Sequence, residues 1–393
     1  MNSVYLQNGE VITSNGSSLE CTLSSLLNNK SNLKSMFLKK SLNNFTVGLA
    51  DWTNLEIQYN QKNYRRKLVL TILFKKLLPT LKIRKIDRVI CQIAQRPTDL
   101  DWHIKNNKKV TENIDENDIS ITIIEQFKLH NFLISDDQID FLDNTCTSGH
   151  SLLGFAYQGI KLNKWNNVVL IAIDLVDEIN LHILNNLGAL ATSNLSDDAK
   201  SRPFDKNRSG FIKSDGAAIA LLTSNPEYEN NNLCEILSFS QTNDAYKLTD
   251  GRDDTEGIQK AMKLAIERSG ITIDNIDIIK THGTSTILND LHESNAIEKV
   301  FENLNPFVTS LKGHLGHTTD ASGLVENIVF SAALKKGYYL GIKNLDRPAF
   351  NLNFLKNVKQ IESSKNIFFL CNNLGFGGNN SCLVLKSNYI KEV

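Results

Sequence analysis

Short apolar runs alternate along the chain with segments whose apolar residues recur at helical spacing. That alternation predicts an α/β protein. Asp87-Arg88-Val89-Ile90-Cys91-Gln92-Ile93 reads as a strand. Asn167-Val168-Val169-Leu170-Ile171-Ala172-Ile173 is a continuous apolar run, the pattern of a strand buried on both faces. Ala217-Ala218-Ile219-Ala220-Leu221-Leu222 is another, and Asn225-Pro226 then breaks the chain. After the break the pattern begins again. Ile236 to Phe239 reads as a strand. Gly257 to Ser269 reads as a helix with Ile258, Ala261, Met262, Ala265 and Ile266 on one face and Gly270 as its stop. Asp277-Ile278-Ile279-Lys280-Thr281 reads as a strand that delivers His282 at its carboxyl end. Leu324 to Leu334 reads as a helix. Ile367 to Leu370 and Cys382 to Leu385 read as a closing hairpin around a glycine-rich turn. The expectation is two α/β halves, residues 1–225 and 226–393, without a visible sequence repeat. Function in open α/β sheets collects where strands end, so those segments carry the search for chemistry.

Composition narrows the class. The 393 residues include 43 Lys+Arg and 43 Asp+Glu, so the net charge is zero, and 41% are hydrophobic. These values fit a folded enzyme and argue against a basic chain that coats nucleic acid. No apolar window of about 18 residues predicts a membrane span. Met1 to Asn8 lacks the basic and apolar regions of a secretory signal, so a cytoplasmic protein is expected. The six cysteines are scattered with no C-x-x-C pair, which argues against a disulfide framework or a zinc site. Asn8-Gly9 and Asn15-Gly16 read as turns.

Four segments could carry chemistry. In Asp143-Asn144-Thr145-Cys146-Thr147-Ser148-Gly149-His150, small polar residues surround a cysteine ahead of an amphipathic helix. A helix N-terminus favours thiolate. The alternative is a small buried cysteine in a turn. In Thr281-His282-Gly283-Thr284-Ser285-Thr286, a histidine stands at a strand end before a glycine, either aimed into a cleft or structural. In Ser310 to Gly323, His314 and His317 have metal-ligand spacing. Gly313 and Gly316 argue against a regular helix there, and no further cluster completes a zinc site. Gly375-Phe376-Gly377-Gly378-Asn379-Asn380 lacks the Lys-Ser/Thr of a phosphate loop and fits a hairpin turn better.

Taken together and in this order, these segments resemble the elongating β-ketoacyl-[acyl carrier protein] synthases of the thiolase fold. That family places a nucleophilic cysteine, a His-Gly-Thr-x-Thr histidine, a Lys-x-x-x-Gly-His segment and a Gly-Phe-Gly-Gly loop in sequence. Here these are Cys146, His282, Lys312 with His317, and Gly375 to Gly378. Arg202 to Phe211 and Asn243 to Thr249 resemble two further family segments. The departures are Thr145 where alanine is usual, Ser214-Asp215-Gly216 for Gly-Glu-Gly, Lys247 for histidine, and no readable family signal between about residues 95 and 140.

The resemblance implies a five-layer αβαβα arrangement. It implies that Cys146 takes an acyl chain from a carrier protein and condenses it with malonyl-carrier protein by decarboxylative Claisen chemistry, in fatty acid or specialised polyketide or polyene synthesis. It implies an oxyanion site and gate at Gly375, Phe376 and Gly377. His282 and His317 would both donate N–H groups to the enolate. Lys312, paired with Glu326, would orient them. Thr284 and Thr286 would bind the pantetheine arm, or else cap the turn. No cofactor or metal is implied, because phosphopantetheine arrives on the acyl- or malonyl-loaded acyl carrier protein. A homodimer, or a heterodimer with a related ketosynthase-like subunit, is expected. The competing readings are a non-condensing, chain-length-factor-like partner subunit and a coenzyme-A thiolase using Cys371 or Cys382 as a base.

The neutral total conceals a polarised distribution. From Lys62 to Arg88 there are ten basic residues and one acid, whereas Glu112 to Asp118 is acidic. Carrier proteins of this pathway are acidic. Lys62, Arg65, Arg66 and Lys67 are therefore either a docking site for one or a merely solvated face.

Overall fold

The computed structural model describes residues 2–38, 43–50, 64–94, 116–192, 199–225, 227 and 232–391. In chain order the first elements are β1 (Tyr5–Thr13), α1 (Leu19–Leu27), β2 (Leu33–Leu38), β3 (Asn43–Gly48), α2 (Tyr64–Leu77), β4 (Arg88–Ile93) and α3 (Glu116–Leu129). Then come β5 (Ile139–Phe141), α4 (Ser148–Lys161), β6 (Asn167–Asp174), α5 (Glu178–Asn186) and β7 (Gly216–Thr223). After the midpoint follow β8 (Cys234–Asn243), α6 (Glu256–Ser269), β9 (Ile276–Lys280), α7 (Ile287–Phe301), β10 (Phe307–Thr309), α8 (Lys312–Leu315) and α9 (Ser322–Lys335). The chain closes with β11 (Tyr338–Tyr339), β12 (Lys359–Gln360), β13 (Lys365–Gly375) and β14 (Asn379–Tyr389).

Ten strands form one hydrogen-bonded order, β10-β9-β13-β14-β8-β1-β7-β6-β4-β5. Its centre is slight. β1 meets β8 only at Tyr5 with Glu235 and Leu6 with Cys234. The order therefore divides into two five-stranded sets. Numbered along the chain within each set, both read 3-2-4-5-1. The senses match too: β4 is parallel to β5 and β6, as β9 is to β10 and β13, and the other pairs are antiparallel. The topology repeats although the sequence does not.

Burial explains the layers. α4 and α9 lie in the cluster that unites both sheet sets, where Leu152, Leu153, Leu324, Val325 and Ile328 meet strand residues from each. Helix α9 is buried from Ser322 to Leu334, so it shows no polar face to solvent. α2 and α3 cover the outer face of the first set, and α6 and α7 cover that of the second. The result is a five-layer αβαβα fold. Helix α6 buries the five residues its spacing predicts and ends at Gly270 with φ +78°. The β13–β14 hairpin runs 11 residues a side, well past its apolar centres. One expected turn is corrected: Asn8-Gly9 lies inside β1, at a register shift opposite β7. Asn15-Gly16 does form a turn, closed by reciprocal hydrogen bonds between Thr13 and Gly16.

The approach of α4 to α9 positions the chemistry. A Cβ on Gly149 would lie 2.3 Å from the Leu324 nitrogen, and one on Gly323 would lie 2.6 Å from the His150 nitrogen. Glycine at both positions lets the two helix starts touch. The loop before α4 carries Cys146, and the loop before α9 carries His317.

Candidate active site

Cys146 sits half-buried between β5 and α4, after a sharp elbow. Thr145 adopts φ +50°, a conformation that costs a β-branched residue about 1–3 kcal/mol. The surroundings hold it there. Its N–H bonds to Asp143 Oδ1 at 3.1 Å, and its carbonyl accepts from Ser148 Oγ at 2.7 Å. Its hydroxyl donates to the Phe376 carbonyl at 3.2 Å, so the unusual threonine ties the cysteine loop to the Gly375–Gly378 loop. Gly375 permits this approach, because a Cβ there would stand 2.7 Å from Thr145 Oγ1.

His282 follows β9. The Glu293 carboxylate, reaching in from α7, accepts the His282 and Gly283 N–H groups, each at 2.8 Å. Burial pushes the Glu293 carboxyl up, against those two N–H groups. His317 lies across the site, its ring centroid 5.2 Å from that of His282 at 80°. Phe211 stacks edge-on against His317 at 4.8 Å. His314 turns away, with Nδ1 toward the Lys30 carbonyl, so the two histidines of that segment do not converge.

Hydrogen-bond partners fix opposite tautomers. His317 Nδ1 accepts the Thr319 N–H at 3.2 Å, so Nε2 carries the proton and donates. Asn373 Nδ2 donates to the Cys146 carbonyl at 2.8 Å, which turns Asn373 Oδ1 toward His282 Nδ1 at 2.7 Å. Two acceptors cannot face each other at that distance. His282 therefore carries its proton on Nδ1 and leaves Nε2 as an acceptor. On this pairing His282 accepts at Nε2, where the expectation has both rings donate into the site. Burial, then Lys312, holds both imidazoles neutral, well below the ordinary histidine range.

Behind the rings lies a buried charge cluster. Glu326 Oε1 meets Lys312 Nζ at 2.7 Å and Glu326 Oε2 meets Lys280 Nζ at 2.8 Å. Lys312 also donates to the His282 carbonyl at 2.7 Å. Burial opposes both ammonium charges. Glu326 overcomes it at Lys280, which is held up, whereas Lys312, also repelled by Lys280, is pushed down. Burial opposes the Glu326 charge too, but the two lysines pull its carboxyl down. A second buried pair supports His317. Lys213 Nζ lies 2.8 Å from Asp174 Oδ1 and from Thr319 Oγ1, and Thr319 donates to the other Asp174 oxygen.

The remaining expected residues fall into three groups. Phe376 packs, partly buried, against an apolar cluster that includes Phe45, Val176, Leu190 and Phe211. Gly377 and Gly378 are clasped by the 243–249 segment, through Gly377 N–H to the Leu248 carbonyl at 2.6 Å and Asp244 N–H to the Gly378 carbonyl at 2.8 Å. Thr284 and Thr286 bond to each other at 2.9 Å.

The expected docking face is corrected. Lys62 lies outside the described residues. Arg65 donates to the Val176 carbonyl at 3.0 Å and pairs with Asp215 at 3.3 Å, while Arg66 is buried. Asp215 also accepts the Val176 and Ala50 N–H groups. Arg65 thus ties α2 to the segments at Val176 and Asp215, and Lys67 is half-buried beside it.

Sequence reasoning assigned no site role to Asn373, Lys280, Glu293, Lys213 or Asp174. Lys280 carried a legible signal, a lysine in an apolar strand just before His282. Asn373 carried none, because its role rests on pairing across the fold.

Residues 233–346 match the family model described as the β-ketoacyl synthase C-terminal domain. A 3-oxoacyl-[acyl-carrier-protein] synthase homolog of Saccharomyces cerevisiae is 27% identical over 62% of this chain and 58% of its own length. A 3-oxoacyl-[acyl-carrier-protein] synthase 2 of Vibrio cholerae is 33% identical over 50% of each chain. The chain thus matches these curated relatives over half to three-fifths of their length. A chain of a solved complex between a type II polyketide acyl-carrier protein and its ketosynthase gives TM-score 0.83 at 20% identity, covering 98% of this chain and 99% of that one. No helix among the described residues is long and apolar enough to cross a membrane. Residues 233–346 thus carry the match to a β-ketoacyl synthase C-terminal domain, and the chain as a whole shares the fold of this solved ketosynthase complex.

Proposed function

We propose that the protein is a cytoplasmic β-ketoacyl-[acyl carrier protein] synthase. The observation that carries this reading is the meeting of Cys146, His282 and His317. Asn373 bridges the first two, and the two rings stand 5.2 Å apart. In the first half-reaction His282 Nε2 accepts the Cys146 thiol proton. Sulfur attacks the acyl thioester, the carrier thiolate leaves, and it takes that proton. Backbone N–H groups of Cys146 and Phe376 receive the carbonyl oxygen as it becomes an oxyanion. In the second, the malonyl thioester loses CO₂, and His317 Nε2–H supports the enolate oxygen. The enolate carbon attacks the acyl-cysteine and expels the Cys146 thiolate. A proton from solvent, relayed by His282, then restores the Cys146 thiol. Lys312 positions His282 and is not the base.

The apolar cluster around Phe376 and Phe211 is read as a wall of the acyl pocket, and Thr284 and Thr286 as the pantetheine contact. No metal or cofactor enters the scheme, since phosphopantetheine comes with the carrier. The acidic carrier protein approaches beside α7, where Lys206 and Arg347 are exposed and adjacent, joined by Lys206 N–H to the Arg347 carbonyl at 2.8 Å. Exposed Ile287 and Leu288 flank them. A homodimer, or a heterodimer with a related subunit, completes the assembly. Retention of Cys146 with both histidines favours condensation over a chain-length-factor role. Cys371 and Cys382 are fully buried, and burial pushes the Cys371 thiol up to about 12, which disfavours a thiolase base there. The test is to load the protein with a panel of acyl-carrier proteins, add malonyl-carrier protein and assay β-ketoacyl product. Cys146→Ala should abolish product. The same panel separates fatty acid from polyketide use.

A further inference from the structure

We propose that Asn373 is a positioning residue whose single carboxamide holds the Cys146 loop with its N–H and fixes the His282 proton on Nδ1 with its oxygen. The inference deepens the synthase reading and rests on it for its kinetic consequence.

Both ends of the amide are used, and only one orientation satisfies both. Nδ2 reaches the Cys146 carbonyl at 2.8 Å and Oδ1 reaches His282 Nδ1 at 2.7 Å. The residue is fully buried in β13, and Ser381 Oγ holds its carbonyl at 3.0 Å from β14. Gly323 makes room for it, since a Cβ there would stand 2.8 Å from Asn373 Nδ2. Lys312 Nζ also faces His282 Nδ1, but at 3.4 Å, with its shorter bonds spent on Glu326 and the His282 carbonyl. Without the amide oxygen that ammonium would become the nearest partner of Nδ1 and draw the ring proton to Nε2. His282 would then no longer accept the thiol proton. Position 373 thus decides whether His282 Nε2 accepts or donates.

The test uses the full chain labelled with ¹⁵N-histidine, with the His282 signals assigned by their absence in His282→Gln. In the native protein Nδ1 should carry the proton and Nε2 should be unprotonated. In Asn373→Ala the proton should move to Nε2 or become shared, and turnover should fall about 10²-fold, the usual worth of a positioned base. Asn373→Asp keeps the acceptor and adds a charge, so it should retain the Nδ1 proton and move the acid limb of the rate profile to higher pH. An unchanged tautomer in Asn373→Ala, or an Asn373→Asp profile that coincides with the native one, overturns the proposal. This holds whatever happens to the melting temperature. If the native protein forms no product, the synthase reading fails, yet the ring signals still decide the assignment of Asn373.

Discussion

The backbone N–H of Thr319 bonds to Nδ1 of His317 at 3.2 Å, which commits the opposite ring nitrogen to donation. Thr319 itself sits at φ +38°, held by the buried Lys213–Asp174 pair. His317→Ala should therefore lower malonyl decarboxylation about 10²–10³-fold, the usual cost of one lost oxyanion donor. Acyl transfer to Cys146 should persist. Parallel rates of CO₂ release and of adduct formation check this, and equal loss of both contradicts it.

The Lys280–Glu326–Lys312 cluster should behave as one unit. Removing a partner from a buried pair costs about 3–5 kcal/mol. Glu326→Gln, which strands two ammonium groups, should be more damaging than Lys280→Met. The double variant should cost less than the sum of the two, because the coupled charge has gone. Urea unfolding of the three variants checks the order. Additive losses would contradict the coupling.

Acid should weaken the fold through buried histidines. Burial holds His150, His282 and His317 well below 6.5, and His314 at about 4. The folded protein keeps them neutral, while the unfolded chain protonates each below about 6.5. Their contribution to stability is full above that pH and falls as pH drops toward the folded values, by about 1.4 kcal/mol per histidine per pH unit. Asp290, raised to about 6 by burial, works the other way below that pH and blunts the fall. Urea midpoints at pH 7.5, 6.5 and 5.5 should decline, and a flat series would contradict the scheme.

Charge reversal should separate two basic regions. Lys206→Glu with Arg347→Glu should raise KM for carrier-bound substrate and spare a small thioester mimic. Arg65→Glu sets a second carboxylate against Asp215 and should lower stability by about 3 kcal/mol. A KM effect from Arg65→Glu without loss of stability would restore the α2 docking face.

Where local pattern decides, the chain is readable. β6, β7 and α6 lie where their apolar spacing puts them, because burial on one or both faces imposes that spacing. Cys146, His282 and His317 were visible because each follows a strand or stands beside glycine in a tight loop. The basic stretch at α2 was misread because Arg65 finds its carboxylate 150 residues away, at Asp215. Tautomers were out of reach for the same reason: the partners of His282 and His317 are set by β13 and by the turn at Thr319, not by neighbours in sequence alone. The repeated 3-2-4-5-1 strand order was hidden because topology depends on the placing of apolar runs and not on residue identity.

The most direct measurement is intact-mass analysis of the protein mixed with acyl-carrier protein and then with malonyl-carrier protein. The account predicts an acyl adduct on Cys146 that forms first and disappears as β-ketoacyl-carrier product and CO₂ appear. Product formation by Cys146→Ala, or a native protein that never carries the adduct, would contradict it.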